Sequence, residues 1–175
     1  MVIPAEIENI KDVRIYGFNT PETEVTDLRI PGTATIYSEA FSYKTSLETV
    51  VIDEGVTILH EGMFAGCEKL STVVLPDSID EIGNNVFGEA TSLKEIKIPD
   101  KVTELCANVF RCITDARIEL GDNILEIDMQ AFLETKDSTI VVKKGSVTEK
   151  NIDEYFDECK VYFTNGKNNL TIERK

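Results

Sequence analysis

Phenylalanine recurs along this chain at nearly constant spacing, and other apolar positions keep step with it. Seven of the eight phenylalanines, Phe18, Phe41, Phe64, Phe87, Phe110, Phe132 and Phe156, are separated by 23, 23, 23, 23, 22 and 24 residues; only Phe163 is out of phase. Five residues before the first six stand Val13, Ile36, Leu59, Ile82, Leu105 and Ile127, and eight before the middle ones stand Val56, Ile79, Val102 and Ile124. Twelve and fourteen before are the pairs Val50/Ile52, Val73/Leu75, Ile96/Ile98 and Ile118/Leu120, with Leu28/Ile30 in the same role after a shift of one residue. Each pair alternates with polar or variable residues, the period-two pattern of a half-buried strand. Pro31, Pro76 and Pro99 close strands, because proline cannot donate to a continuing ladder. A fixed period of this size predicts a solenoid, one small unit stacked on its own copies.

A single unit is too small to bury its apolar edge. Stacked, the units make parallel strands about 4.8 Å apart, and the Phe and aliphatic positions become continuous internal stripes. Each buried Ile, Leu or Phe contributes about 1.5–3 kcal/mol, so six or seven rungs offset a backbone entropy that one rung cannot. The residues between the internal strand positions must then face outward: Asp27/Arg29, Thr49/Val51, Thr72/Val74, Glu95/Lys97, Arg117/Glu119 and Thr139/Val141. They form two rows on one open face. Val51 and Val74 fall side by side with Val141 further along, and Arg29, Lys97 and Arg117 supply isolated positive charge. An apolar centre rimmed by mixed charge suits a protein interface. The candidate binding residues are therefore Arg29, Thr49, Val51, Thr72, Val74, Glu95, Lys97, Arg117, Glu119 and Val141.

The stretches "LETVVIDEGVTILHEGMFAGCEK" and "LSTVVLPDSIDEIGNNVFGEATS" resemble the BspA-like leucine-rich repeat family, whose motif runs roughly L-x-x-I-x-I-P-x-x-V-x-x-I-x-x-x-A-F-x-x-C. The resemblance covers about Val25 to Val142, with several copies in register. Asp53 and Gly121 replace the motif proline. Only Cys67 and Cys159 fall three residues after a Phe, where other units carry Lys44, Ala90, Ile113 and Thr135. The resemblance implies a β-rich α/β solenoid, a right-handed leucine-rich-repeat superhelix of about six 22–24-residue repeats. It also implies one domain over residues 1–175, with 1–24 an N-terminal cap or degenerate repeat, 25–142 the regular repeats and 143–175 a C-terminal cap. Within that cap "GSVTEKNIDEYFDEC" reads as a partly helical last unit with Ser146 or Thr148 as N-cap. "KVYF" and "NLTIER" read as short closing strands around a turn at Asn165–Gly166.

Composition narrows the partner class. The chain has 175 residues, 42% of them hydrophobic, enough for one globular domain with a sizeable core. Thirty-two acids against 18 bases give a net charge of −14, which argues against nucleic acid and anionic membrane surfaces, both of which attract basic faces. There is no apolar run near the ~18 residues a membrane helix needs, so no membrane insertion is expected. "MVIPAEIENIKD" has neither a basic n-region nor an apolar h-region. The expected location is cytoplasmic if Met1 is the native start, and secreted or cell-surface if the chain is a fragment of a longer one. The acids are ordered: Glu54, Asp77, Asp100 and Asp122 stand ten residues before successive Phe, and Glu81, Glu104 and Glu126 six before. Turn chemistry and solubility explain such rows; a docking rail for a basic protein or for divalent cations is the sharper alternative.

Catalytic motifs are absent: there is no G-x-S-x-G, H-E-x-x-H, P-loop or G-x-G-x-x-G. His60, the one histidine, lies between the internal Leu59 and Glu61 and is expected to face solvent. The four cysteines, Cys67, Cys106, Cys112 and Cys159, form no C-x-x-C pair and read as small apolar residues rather than a disulfide framework or zinc site. Arg111 beside Cys112 is the one hint of an activated thiol. The expected function is thus a non-enzymatic, monomeric protein–protein interaction module without cofactor or metal, serving adhesion or partner binding through the open face. The resemblance adds surface adhesion and host interaction as roles of many relatives. The alternative is an intracellular acidic inhibitor or mimic that occupies a basic site on a partner protein.

Overall fold

The computed structural model describes residues 25–156 and 169–175, together with the backbone of residues 14, 15, 157 and 158. The strands are β1 (Arg14–Ile15), β2 (Asp27–Ile30), β3 (Thr35–Ile36), β4 (Thr49–Ile52), β5 (Ile58–Leu59), β6 (Thr72–Val74) and β7 (Glu81–Ile82). They continue with β8 (Glu95–Lys97), β9 (Glu104–Leu105), β10 (Arg117–Glu119), β11 (Glu126–Ile127) and β12 (Thr139–Val142). The helix α1 (Val147–Glu158) follows, and then β13 (Thr171–Arg174). One seven-stranded sheet runs in the order β13-β12-β10-β8-β6-β4-β2, and every pairing in it is parallel. On the opposite side the two-residue strands make three short parallel ladders, β1-β3, β5-β7 and β9-β11. The parallel-sheet solenoid expected from the 23-residue period is therefore the observed fold.

Between the two sides lies the core. Phe64, Phe87, Phe110 and Phe132 have no exposed surface, and Phe41 has almost none. Their rings stack in one column with centroids 5.7, 6.0, 6.0 and 5.5 Å apart and planes within 17° of parallel. The aliphatic rows run beside them: Val50, Val73, Ile96, Ile118 and Ile140 are buried neighbours in the parallel register. Leu28/Ile30 align with Val50/Ile52 as the shifted pattern requires. The shift has a local cause: the turn after β2 is one residue shorter, and Gly32 approaches the next rung so closely that a Cβ there would lie 1.7 Å from the Glu54 carbonyl oxygen.

The C-terminal end departs from the period. Tyr155, not Phe156, continues the column, its ring meeting Phe132 edge-on at 5.9 Å and 65°. Phe156 sits beyond it, half-buried, at 5.1 Å from Tyr155. The reason is the helix: α1 replaces the second strand of this rung, and at 1.5 Å rise per residue it cannot hold the strand register. Of the two N-cap candidates, Ser146 is the cap, its Oγ accepting the Glu149 amide at 3.0 Å. Thr148 is instead fully buried and accepts the Ile124 amide at 2.9 Å, tying the helix to the preceding turn. "NLTIER" does contain a strand, β13, but it adds to the main sheet parallel to β12 with Ile172 opposite Ile140. "KVYF", the Asn165–Gly166 turn, Cys159, Val13 and Phe18 lie outside the described residues, as does most of the 1–24 cap; its β1 backbone pairs with β3.

Candidate interaction face

Strand alternation places every second residue of the main sheet on its outer face. The parallel register then sets Thr49 beside Thr72 and Val51 beside Val74, Thr72 beside Glu95, and Glu95/Lys97 beside Arg117/Glu119. The sequence-derived rows are thus real neighbours. They are not equally accessible. Thr72, Glu95 and Lys97 are exposed, Val74 is 50% exposed, and Thr49 and Val51 are half-buried.

Both flanks of this window carry ion pairs; the N-terminal one leaves Arg29 exposed, and in the C-terminal one Arg117 and Glu119 are half-buried. On the N-terminal side Arg29 donates through Nε to both Asp53 carboxylate oxygens at 3.0 and 3.1 Å. On the C-terminal side Arg117 donates to Glu173 at 2.6 and 2.8 Å, and Lys175 pairs with Glu119 at 2.5 Å. Those two pairs join β10 to β13 across β12, which lies between them. Val141 stands opposite Glu119 on one side and Glu173 on the other, beneath both pairs, and has no exposed surface. The expectation that Val141 extends the open apolar surface is therefore corrected: it points outward and is roofed. Arg117 and Glu119 are half-buried and already engaged. The Arg117 guanidinium, donating to Glu173, holds that carboxyl below the usual carboxylate range.

The remaining candidates resolve into structural roles. Glu54 accepts the Asp77 amide at 2.9 Å and Asp100 accepts the Asp122 amide at 2.9 Å, so two members of this acidic row each tie their turn to the following one. Glu81, Glu104 and Glu126 are exposed, with Glu104 and Glu126 in register. Among the described residues no group of three metal-type ligands gathers. His60 is half-buried rather than fully turned to solvent. Cys67, Cys106 and Cys112 are free thiols. Burial pushes each up to about 11, helped at Cys106 by Glu104 and at Cys112 by Glu134, so all three stay protonated at neutral pH. Arg111 does not activate Cys112; it pairs with Glu89 at 2.8 Å and Glu134 at 3.6 Å.

Two features escaped the sequence pattern. Phe41, Phe64, Phe87 and Phe110 are each flanked two residues before and after by backbone at positive φ, at Glu39 and Tyr43, Gly62 and Gly66, Asn85 and Glu89, and Asn108 and Cys112; Phe132 has it only after, at Glu134. Gly and Asn take this conformation readily, and Gly62, Gly66, Asn85 and Asn108 are the only local signal. At Gly66 a side chain would also strike the Tyr43 ring, 2.4 Å from a Cβ. The second feature is the slot three residues after Phe. Cys67 Sγ donates to the Phe41 carbonyl at 3.1 Å and Thr135 Oγ1 to the Phe110 carbonyl at 2.5 Å, so the slot takes a small side chain with a donor as well as an apolar one.

A family model described as "BspA type Leucine rich repeat region" matches residues 34–162 in six copies. Comparison with curated protein sequences found no significant match. Among solved structures, a leucine-rich repeat protein from Bacteroides ovatus is 22% identical with a TM-score of 0.70 over 95% of this chain and 42% of that one. A leucine rich cell surface protein from Faecalibacterium prausnitzii is 23% identical with a TM-score of 0.66 over 99% of this chain and 47% of that one. A T. pallidum leucine rich repeat protein is 22% identical with a TM-score of 0.65 over 75% of this chain and 62% of that one. This chain thus spans less than two thirds of the length of each. At these identities the likeness is one of fold.

Proposed function

The chain belongs to the BspA-type leucine-rich repeat family, and from that premise we propose that it binds a protein partner across the Val51/Val74 window of the main sheet. Repeat folds of this kind present extended surfaces for interaction, and no catalytic family is among the matches. The observation that supports this placement is the contrast in accessibility along one face. Val74 is half exposed beside Val51, with Thr49, Thr72, Glu95 and Lys97 around it, whereas both flanks of the same face are occupied by the chain's own ion pairs. Lys97 has no ion pair among the described residues, leaving one cation free beside an apolar centre. The apolar window is small, so the partner contributes complementary apolar side chains and at least one carboxylate. Adhesion at a cell surface, as a module of a longer chain, is the setting we propose for it; one structural neighbour is described as a cell surface protein.

Val51→Asp with Val74→Asp tests the placement. The double change should weaken capture of the partner by about 2 kcal/mol or more, the cost of losing a buried interface centre, while circular dichroism and melting stay near wild type. Undiminished affinity in a folded double variant would remove this window from the interface. The same titration at low and high salt bears on the acidic-mimic alternative, whose affinity should collapse with salt while that of an apolar window should not.

A further inference from the structure

The last strand of the main sheet is built unlike the others. Strands β4 to β10 lie in rungs that each contain a buried Phe, but β13 brings only Ile172 and Leu170 to the core, both half-buried. Its other attachments are backbone and charge. The Thr171 and Lys175 amides donate to the Ser138 and Val142 carbonyls of the β12 edge at 3.0 and 3.1 Å. Glu173 takes the Arg117 guanidinium, Lys175 takes Glu119, and Arg174 reaches Glu149 at 3.0 Å on α1. Val141 lies fully buried under the first two of these pairs. The edge of β12 therefore presents a cation, an anion and an apolar spot at fixed spacing, and the segment seated on it answers each in turn.

We infer that the β12 edge, with Arg117 and Glu119, is a binding site for an extended strand carrying the pattern Ile-Glu-x-Lys, occupied in this structure by the chain's own β13 and open to the same strand from a second copy. The argument is complementarity. A parallel strand added to a free edge gains main-chain hydrogen bonds without regard to sequence, and side-chain pockets along it select which strand is accepted. Here the selecting groups are opposite charges two strands apart, reaching over Val141. Any strand that lacks the acid leaves Arg117 without Glu173 and uncovers the valine. The pattern present in cis is by identity present on every other copy, so exchange of β13 between two chains replaces each contact with its equal.

The test uses the full chain and a labelled, end-capped peptide of residues 169–175, Asn-Leu-Thr-Ile-Glu-Arg-Lys. In wild type the site is filled, so the peptide should bind weakly. Glu173→Arg sets like charges against Arg117 and should free the edge, giving peptide affinity at least tenfold above wild type by fluorescence anisotropy. Glu173→Gln should give a smaller gain, and keeps the test open if Glu173→Arg misfolds. The peptide bearing its own Glu173→Arg change should not bind either variant. In the double variant Arg117→Glu with Glu173→Arg the chain's own strand seats again, and affinity should fall back to the wild-type level. Peptide affinity for Glu173→Gln and Glu173→Arg no greater than for wild type would overturn the inference, as would equal binding of the charge-reversed peptide. Sedimentation of concentrated wild-type chain refolded from denaturant should show a dimer that the freshly purified monomer lacks; monomer alone would remove the second copy as the occupant.

Discussion

Between Phe41 and Phe132 the chain is held by an uninterrupted apolar column, whereas after Val142 the same sheet is continued by a strand that adds ion pairs to its backbone hydrogen bonds and brings only half-buried Leu170 and Ile172 to the core. In the middle rungs a ring sits against the ring above and the ring below at 5.5–6.0 Å, and every rung is supported by two neighbours. At the C-terminal end α1 interrupts the strand register, Tyr155 closes the ring column edge-on, and β13 has one neighbour. Apolar burial is insensitive to salt over the range where surface ion pairs fade, since the Debye length falls from about 10 Å at 0.1 M to about 3 Å at 1 M. The two regions therefore belong to one sheet and respond to different variables. The difference also shapes the outer face: the middle leaves Val74 open beside the half-buried Val51, and the charges of the end cover Val141.

The largest effect should come from breaking the column. Phe87 is fully buried between Phe64 and Phe110, so Phe87→Ala should cost about 3–5 kcal/mol in urea unfolding through lost contacts and the cavity left behind. A loss under about 1 kcal/mol would mean that the ring does not carry its rung. At the other end, Ser146→Ala removes the acceptor of the Glu149 amide and should cost about 1 kcal/mol, seen as earlier loss of helical signal with the middle rungs unaffected. Acid provides a finer probe. Glu173 is held below its ordinary pKa by the hydrogen bonds from Arg117, with Lys175 adding in the same sense; Arg117 in turn faces Glu119 and Glu95. A depressed carboxyl contributes stability that is present above its unfolded value of about 4.3 and is lost as the pH falls through the lowered value. The Thr171–Arg174 amide resonances should therefore shift on acidification in wild type, and much less in Glu173→Gln.

How much of this was legible in the sequence follows from the same contrast. A column of identical rings repeats in sequence as it repeats in space, so Phe41 to Phe132, the strand pairs and the outward rows could be read from spacing alone. The end could not. Phe156 keeps the approximate period and Tyr155 takes the place, because a helix rather than a strand leads to it. Val141 alternates outward like Val51 and Val74, and is buried by Glu173 and Lys175, which lie more than thirty residues further along the chain. No local pattern announces a pairing of that separation. The positive-φ corners were equally silent, since Glu39, Tyr43, Glu89 and Glu134 hold a conformation that only Gly62, Gly66, Asn85 and Asn108 would advertise.

Hydrogen–deuterium exchange of the intact chain at about 0.1 M and 1 M sodium chloride tests the division between the two regions most directly. Peptides covering β6 and β8 should exchange slowly and equally at both concentrations. The peptide covering residues 169–175 should exchange faster throughout and gain several-fold more at high salt. If the 169–175 amides were protected as strongly as those of β6 and β8 and did not respond to salt, the C-terminal strand would be an ordinary apolar rung and the account given for it would be wrong.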